Sequence, residues 1–314
     1  MITALEKVIC KSTARLMGNH FEITVVADNS TLGEICIQKG INEIKRIEKL
    51  LTTFSEDSQT NQINKMAGIQ AVAIDKEVFD LIERAQRISS ITQGAFDITY
   101  GSIDKRFWNF DTTMNHLPDS ILAKQAVKLI NYKNVILLPE SHSVFLRLKG
   151  MRIGFGGIGK GYAAECAKNV LLRNGISSGI INASGDLCTW GRQPDGLPWS
   201  IGIADPNTRL DSFSYMELHD MSIATSGNYE KFVMIDGKRY AHTIDPHTGY
   251  PVQGIKSVTI VTPNAELCDA FTTPVMVMGV ARGLHMINQI KHMGCIIIDE
   301  SNTMFTSKNI NIIY

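Results

Sequence analysis

A glycine-rich stretch in the middle of the chain, GFGGIGKGYAAE (residues 154–165), contains residue types suited to binding a phosphate group. Successive small residues allow backbone N–H groups to converge on an anion, and a helix beginning near Lys160 would add the positive end of its dipole. The Lys160 ammonium would supply a point charge for a diphosphate. The alternative is a tight strand-to-helix turn, in which glycine is needed only for positive φ angles. This structural role explains the same residues equally well.

Two nucleotide-binding patterns fit this stretch only in part. Gly154, Gly156 and Gly159 match the dinucleotide fingerprint G-x-G-x-x-G. Gly154, Gly159 and Lys160 match the Walker A pattern G-x-x-x-x-G-K, which continues with a magnesium-binding Ser or Thr. Position 161 is Gly, and both patterns belong near the start of a nucleotide-binding unit rather than halfway along a chain. We therefore expect phosphate binding of another kind and rank a P-loop NTPase last.

The segment LCDAFTTPVMVMG contains two oxygen-bearing side chains at helical spacing. Asp269 and Thr273 are four residues apart, so on a helix both would emerge from one face, and hard oxygen ligands suit Mg²⁺ or Ca²⁺. Alternatively, Asp269 caps the helix and Thr273 hydrogen-bonds to its own turn. Pro274 would remove the helical hydrogen bond to Ala270, and we expect a kink there.

The segment ATSGNYEKFVMIDGKRYAHTIDPHTGYP contains small hydroxyl residues and two histidines. Thr225, Ser226 and Gly227 predict a small polar turn. His242 and His247 lie five positions apart around a rigid Asp-Pro turn, and His242 could act as a general base or proton relay near neutral pH. Their spacing is no zinc signature, and a structural role is the alternative for either ring.

The segment TQGAFDITYGS combines a flat side chain, Phe96, with the carboxylate of Asp97. This pair is suited to a planar ring with polar edges. A buried core aromatic beside a helix-capping acid is the alternative.

The hydrophobic pattern predicts the elements that must position these segments. HFEITVVAD alternates like a strand, and apolar residues at three- and four-residue steps predict helices through residues 41–54, 78–88 and 121–130. A further helix is predicted from about 265 to 290. Short β-rich segments separated by Gly, Pro, Asp or Asn predict the strands between and after these helices. Long helices do not alternate with single strands, so the pattern favours a mixed, layered α+β fold over a doubly wound sheet.

Composition excludes several classes of protein. The 314 residues are 44% hydrophobic, enough for one large domain or two ordinary ones. Lys plus Arg equals Asp plus Glu at 31 each, so no overall field attracts nucleic acid or an anionic membrane. No apolar run approaches the about 18 residues of a transmembrane segment, and the start MITALEKVIC lacks the apolar stretch of a signal peptide. Six scattered cysteines without a C-x-x-C pair indicate buried thiols instead of a zinc site or disulfides.

In this order and spacing, the segments resemble the ApbE family, the FAD:protein FMN transferases or flavin transferases. The likeness extends from about Met17 to Gly279. The matching segments are MGNHFEIT, TTFSEDSQTNQIN, GAFDIT, GFGGIGKGYAAE, NASGD, ATSGNYEKF, HTIDPHTGYP and CDAFTTPVMVMG.

The resemblance implies a single α+β domain over residues 1–314, with a T-fold-like layered architecture, an antiparallel sheet and packed helices. This domain is expected either to be undivided or to consist of two lobes with the FAD cleft between them. The implied enzyme uses Mg²⁺, with Ca²⁺ or Mn²⁺ as substitutes. It moves FMN from FAD to a Ser or Thr hydroxyl of an acceptor flavoprotein and releases AMP. No nucleic acid partner or transmembrane segment is implied, and the protein is expected to be a monomer or a homodimer.

The resemblance also assigns roles to individual residues. His242 would deprotonate the attacking hydroxyl, with Asp269 and Lys160 as the other catalytic residues. The metal would be held by Asp269, Thr273 and the backbone carbonyl of Gly159. The residues expected to bind FAD are Met17, Phe54, Ala95, Phe96, Asp97, Gly157, Lys160, Glu165, Thr225, Ser226 and Gly227.

The sequence departs from the family pattern at four site positions. Phe54 stands where the family usually has a Tyr that stacks on the isoalloxazine. Gly154 stands where the family has Asp, Glu165 where it has a shorter Asp, and Pro274 where it has Ala. Two rival functions stay open: a metal-dependent FAD pyrophosphatase, in which water replaces the acceptor, and a non-catalytic flavin-binding protein. As written, the chain is expected to be cytoplasmic. A trimmed mature form would instead be exported and membrane-anchored.

Overall fold

The computed structural model describes residues 7–104, 116–204, 212–228 and 232–310. Its α-helices are α1 (Ser30–Leu51), α2 (Gln59–Lys65), α3 (Lys76–Ile91), α4 (Ser120–Ala126), α5 (Gly159–Arg173) and α6 (Ala265–Ile287). The strands in the first half are β1 (Val8–Leu16), β2 (Asn19–Ala27), β3 (Val72–Ala73), β4 (Val135–Leu138) and β5 (Ser143–Leu146). Those in the second half are β6 (Ser178–Ala183), β7 (Asp186–Trp190), β8 (Trp199–Ala204), β9 (Ser212–Leu218), β10 (Ser222–Gly227), β11 (Phe232–Ile235), β12 (Lys238–Ala241), β13 (Ile255–Thr262), β14 (Gly294–Asp299) and β15 (Met304–Thr306).

An eight-stranded antiparallel sheet forms the centre, in the order β1-β2-β6-β7-β10-β13-β14-β15. In β2 the alternate residues Phe21, Ile23 and Val25 are buried, which is the pattern of a strand with one face on the core. In β13 the burial is almost continuous, because α6 covers one face and a second apolar cluster covers the other. The mixed α+β class with an antiparallel sheet and packed helices is therefore confirmed.

Three long helices, α1, α5 and α6, pack together against this sheet. Side-chain caps define the starts of two of them: Asn29 accepts the N–H of Leu32 in α1, and Asn264 accepts the N–H of Leu267 in α6, each at 2.9 Å. Their apolar residues join the sheet in the largest core cluster. The cavity described below is lined by the end of α1, the start of α5 and Thr273 within α6.

Smaller sheets surround this centre: β3-β5-β4, β8-β9 and β11-β12. A small cluster around α4 packs Ala123 and Ala126 against Ile244, in the segment that follows β12. No helix in the described part of the chain is both long and apolar enough to cross a bilayer. Whether the chain divides into one domain or two lobes stays a prediction.

The structure corrects several sequence-based expectations. The strands β1 and β7 and the helix α2 were not predicted. In β1 (VICKSTARL) the polar run Lys11-Ser12-Thr13 interrupts the alternation of apolar and polar residues that identified β2. The non-helical backbone angles in α6 lie at Gly279 (φ 79°, ψ 170°), not at Pro274, because glycine has no β-carbon to oppose a positive φ. Residues 229–231 of the ATSGNYEKF segment, the start of MITALEKVIC and the last residues of the closing strand prediction lie outside the described residues.

Candidate active site

The four segments chosen from the sequence meet at a cavity of about 870 Å³. This volume lies in the range of pockets that bind small molecules, about 300–1,000 Å³. The predicted site residues in its wall are Met17, Phe54, Ala95, Phe96, Asp97, Gly157, Lys160, His242 and Thr273. The others, which do not line it, are Gly159, Glu165, Thr225, Ser226, Gly227 and Asp269.

Met17 reaches the cavity from the turn between β1 and β2. Met17 and Gly18 both have positive φ, 53° and 72°, as in a two-residue turn whose twist matches that of antiparallel strands. Leu16 pairs with Asn19 at the end of the hairpin, and the Asn19 side chain donates to the Met17 carbonyl at 2.8 Å. The hairpin turn thus fixes the position of Met17.

Two phenylalanine rings differ in exposure at the cavity. Phe54 follows the end of α1 at Leu51 and is 96% exposed, so its assignment to the helical stripe was wrong. Phe96 is buried, and a β-carbon on Gly157 would lie 3.5 Å from its Cε2 atom. The backbone of the glycine loop thus passes beside the Phe96 ring at a distance that leaves ordinary van der Waals contact for a β-carbon. One exposed ring and one buried ring are available to a planar ligand.

Asp97 lines the cavity, but its carboxylate already has partners within the protein. Oδ1 accepts from the backbone N–H (2.8 Å) and the hydroxyl (2.6 Å) of Thr99, and Oδ2 accepts from the N–H of Tyr132 (2.8 Å). Burial raises the pKa of Asp97, and the hydrogen bonds from Thr99 and Tyr132 oppose that rise. Asp97 therefore caps the short 3₁₀ turn that follows it, and its contact with a ligand stays a prediction.

Lys160 lies between two carboxylates at the start of α5. Its Nζ atom is 2.5 Å from Oδ2 of Asp186 and 3.3 Å from Oδ1 of Asp269. Burial alone would lower the pKa of Lys160, but the charges of Asp269 and Asp186 outweigh burial and raise it. Burial also raises the pKa of Asp186, to about 6, and repulsion from Asp269 adds to this while Lys160 opposes it. Two carboxylates thus share one ammonium.

Sequence reasoning missed Asp186, although it ends the NASGD segment. Asp186 is the first residue of β7 and follows a two-residue turn in which Ser184 (φ 59°) and Gly185 (φ 100°) have positive φ. The Asn182 side chain accepts the N–H of Gly185 at 2.8 Å and braces this turn. The Asn and Gly of the segment therefore position its acid. The sequence signal that could have identified Asp186 as a site residue is its position as a carboxylate directly after a hairpin turn.

Asp269 contacts the first turn of α5 from α6. Its Oδ2 accepts the N–H of Gly161 at 3.0 Å, so a helix-start N–H expected to face a phosphate is already engaged. A β-carbon on Gly161 would overlap the carbonyl of Ala265 and lie 2.8 Å from Cβ of Asp269. A Walker A hydroxyl has no room at this position. The P-loop interpretation is therefore wrong on steric grounds.

The residues predicted to hold a metal suit a hard divalent cation. Asp269 is buried, and Thr273, one helical turn later, lines the cavity. Gly159 begins the turn of α5 that Asp269 contacts through Gly161. Carboxylate, hydroxyl and carbonyl oxygens are the ligands that Mg²⁺ and Ca²⁺ accept. The excess negative charge around Lys160 also favours a bound cation, because a buried charge is costly without a partner.

A second group of potential ligands, Glu43, Glu77 and Cys166, lies between α1, α3 and α5. Arg46 donates to both carboxylates at 2.6–2.9 Å, and the Tyr162 hydroxyl donates to Glu77 at 2.6 Å. Because the guanidinium engages both carboxylates, this group serves as an ion-pair network between helices.

The segment Thr225-Ser226-Gly227 lies at the end of β10, not in the cavity wall. The Thr225 N–H donates to Oδ1 of Asp186 at 3.2 Å, and the Ser226 hydroxyl donates to the Thr272 hydroxyl at 2.9 Å. The observed hydrogen bonds of this segment therefore hold the Asp186 carboxylate and connect β10 to α6. Direct contact between this segment and FAD stays a prediction.

Glu165 also lies outside the cavity wall. At 3.6 residues per turn, positions 160 and 165 are separated by about 140° around α5, so their side chains leave different faces. Oε2 of Glu165 accepts the N–H of Ala265 at 2.9 Å, and Oε1 lies 2.5 Å from Nζ of Lys168. Glu165 thus caps the start of α6, and its contact with FAD stays a prediction.

The two histidines have different surroundings. His242 directly follows β12 and lines the cavity. His247 is exposed, with Nδ1 3.0 Å from Oδ1 of Asp245 and Nε2 3.0 Å from the carbonyl oxygen of Gln93. His247 therefore ties its turn to the loop before the GAFDIT segment. His242 is the histidine placed to move a proton in the cavity.

Comparison with known proteins agrees with this arrangement. An FAD:protein FMN transferase of Klebsiella pneumoniae (strain 342) is 29% identical over 297 residues, covering 94% of this chain and 90% of that protein. One from Escherichia coli (strain K12) is 28% identical over 283 residues, covering 88% and 80%. The crystal structure of the ApbE protein of Thermotoga maritima superposes with a TM-score of 0.86 at 29% identity, covering 96% of this chain and 97% of that one.

The family profile covers all the residues that line the cavity. It matches residues 17–297, from the Met17 turn through α6 to β14. The resemblance noted in the sequence is therefore confirmed, and the chain belongs to the ApbE family.

Proposed function

We propose that this protein is an FAD:protein FMN transferase that moves FMN from FAD to a Ser or Thr hydroxyl of an acceptor flavoprotein. The observation that carries the proposal is Lys160, whose partly buried ammonium is held by two carboxylates in the wall of a cavity that His242 also lines. The names of the related proteins support it. The same cavity has aromatic surface for a flavin, and the Lys160 ammonium together with a bound cation would face a diphosphate.

Binding of FAD follows from the distribution of charge and apolar surface. The rings of Phe54 and Phe96 would contact the isoalloxazine, since stacked or edge contacts between flat rings are favourable. Lys160 would face the diphosphate, because it is a lysine of the cavity wall whose pKa is raised by Asp269 and Asp186, so that its ammonium stays charged. Met17 and Ala95 would complete the apolar wall.

The transfer exchanges one phosphate bond for another. The acceptor hydroxyl oxygen attacks the phosphorus of the FMN half and forms a phosphoester, while the bond between the two phosphates breaks and AMP leaves with the bridging oxygen. His242 takes the hydroxyl proton, as a general base must lie beside the nucleophile. Lys160 offsets negative charge on the phosphate oxygens, which otherwise repel the incoming nucleophile.

A divalent cation, which we propose to be Mg²⁺ with Ca²⁺ or Mn²⁺ as substitutes, completes the site. The Asp269 carboxylate, the Thr273 hydroxyl and the Gly159 carbonyl would hold it. When bound, the cation would supply further positive charge to the diphosphate. Asp269 would then serve both the cation and the N–H of Gly161.

The test combines the purified protein with FAD, Mg²⁺ and an acceptor flavoprotein produced in a host that lacks its transferase. We expect one Ser or Thr peptide of the acceptor to gain the mass of an FMN group, with one AMP released per adduct. EDTA should abolish the adduct, and His242→Ala should reduce its rate. Absence of any adduct, with no effect of EDTA on FAD, would refute the proposal.

Omission of the acceptor separates transfer from hydrolysis. A transferase should release little FMN and AMP under these conditions, because no hydroxyl other than water is available. Rapid release of both products without acceptor would identify an FAD pyrophosphatase instead. Tight FAD binding with no products in either reaction would identify a non-catalytic flavin-binding protein.

A further inference from the structure

We propose that Asp186 is a positioning residue, which holds the Lys160 ammonium at the cavity wall and away from full pairing with Asp269. The proposal rests on the transferase function above, because it assigns Lys160 to the diphosphate. Asp186 itself does not line the cavity, so it would act through Lys160 and not on the substrate.

The hydrogen bonds of Asp186 are divided between two partners. Oδ1 accepts the N–H of Thr225 in β10 at 3.2 Å, which fixes the plane of the carboxylate. Oδ2 is then directed to Nζ of Lys160 at 2.5 Å. Both the turn before β7 and the end of β10 therefore determine where the ammonium lies.

Asp269 is the weaker partner of Lys160 by distance. Its Oδ1 lies 3.3 Å from Nζ, while Oδ2 is engaged by the N–H of Gly161. Without the Asp186 carboxylate, the ammonium would keep one anionic partner and move closer to Asp269. Lys160 would then compete with a cation for Asp269 and leave its position on the diphosphate.

The low exposure of the Asp186 carboxylate indicates a functional role for its charge. A buried carboxylate is costly, and replacing a buried ion pair with uncharged groups is often neutral for stability. The Asp186 side chain is only 14% exposed, and the nearby Asp269 adds repulsion. An Asn side chain would still accept the Thr225 N–H, so the turn alone does not require a carboxylate.

The test uses Asp186→Asn and Lys160→Met in a double-mutant cycle. We expect Asp186→Asn to lower the kcat of AMP release about 10- to 100-fold, the usual cost of removing a residue that orients a site ligand, and to raise the Mg²⁺ concentration at half-maximal rate. In the Lys160→Met background the same change should have little further effect, since interacting residues are not additive. An equal loss in both backgrounds would overturn the proposal.

A second readout does not depend on activity. In ¹⁵N-labelled protein, the Lys160 ammonium should give a protected NMR signal, identified by its loss in Lys160→Met. Asp186→Asn should abolish or shift this signal without Mg²⁺ or FAD present. An unchanged signal would overturn the proposal, whereas failure of wild-type transfer with a shifted signal would refute only the transferase function.

Control variants guard against loss of structure. Asp220→Asn removes a carboxylate that accepts the Gly191 N–H at the other end of β7, and it should leave the kcat and the Lys160 signal unchanged. Thermal unfolding of every variant establishes that it is folded. If Asp186→Asn does not fold, Asp186→Ser serves in its place, with the same expected and contrary outcomes.

Discussion

The backbone N–H of Gly161, in the first turn of α5, donates to the Asp269 carboxylate of α6 at 3.0 Å. The two helix starts approach so closely that a β-carbon at position 161 would overlap the backbone carbonyl of Ala265. Asp269 also lies 3.3 Å from the Lys160 ammonium. One close helix contact thus joins the glycine loop to the proposed metal site.

Gly161→Ala is expected to destabilise the protein because the added methyl group would force α5 and α6 apart. Overpacking of this kind costs about 1–3 kcal/mol in the free energy of unfolding. Urea denaturation provides the measurement. The matched control is Gly156→Ala in the same loop, where a β-carbon meets no atom within 4 Å. Equal stability of the two variants would contradict the close contact.

Asp269→Asn is expected to lower the rate of AMP release by at least about 100-fold. A bound cation contributes several kcal/mol to such reactions, and each 1.36 kcal/mol is a factor of ten. The amide oxygen can still accept the Gly161 N–H, so thermal stability should change little. The matched control is the exposed Asp195→Asn. Mg²⁺-dependent activity of Asp269→Asn close to wild type would rule out Asp269 as a ligand.

Phe54→Ala is expected to weaken FAD binding about 3- to 10-fold, since aromatic contacts contribute about 0.5–1.5 kcal/mol. Because Phe54 is 96% exposed, the melting temperature should not fall. Flavin fluorescence titration measures the affinity, with Phe54→Tyr retaining the ring. Ile69→Ala, at an exposed residue outside the cavity wall, is the control. Unchanged affinity in Phe54→Ala would exclude ring contact with the flavin.

The pH dependence of stability is expected to report the buried Asp186 carboxyl. Its pKa in the folded state is raised from the usual value of 3.8 to about 6, so between about pH 4 and 6 the folded protein binds a proton that the unfolded chain lacks. The contribution of Asp186 to the free energy of unfolding therefore decreases as pH rises from about 4 to 6. Urea denaturation at pH 5 and 7 without divalent cations should show this decrease in wild type and a smaller one in Asp186→Asn. Parallel changes in both proteins would contradict the raised pKa.

The Cys166 thiol is expected to react slowly with iodoacetamide in the folded protein. Burial raises its pKa to about 11, so at pH 8 only about one thiol in a thousand is ionised. Mass spectrometry should show alkylation at Cys166 that accelerates about tenfold per pH unit. In urea all six free cysteines should react rapidly. Fast modification of Cys166 at pH 8 under native conditions would contradict the raised pKa of this thiol.

Much of the site could be predicted because its residues lie in short, dense segments. GAFDIT and GFGGIGKG each contribute cavity-lining residues close together in the chain, and so the pattern alone identified Phe96 and Lys160. Glu165 shows the limit of this reasoning. It shares a helix and a segment with Lys160, but helical rotation directs it to another face, where it caps α6.

The amino-acid sequence by itself determined the family, the α+β class and the types of side chain available to the site. Local periodicity and the order of motifs are properties of the sequence alone. Only the tertiary structure decided which charges meet. The Asp186–Lys160–Asp269 cluster joins residues 26 and 109 positions apart in the chain. Charge contacts act through distance in space, and sheet pairing and helix packing, not sequence separation, set that distance.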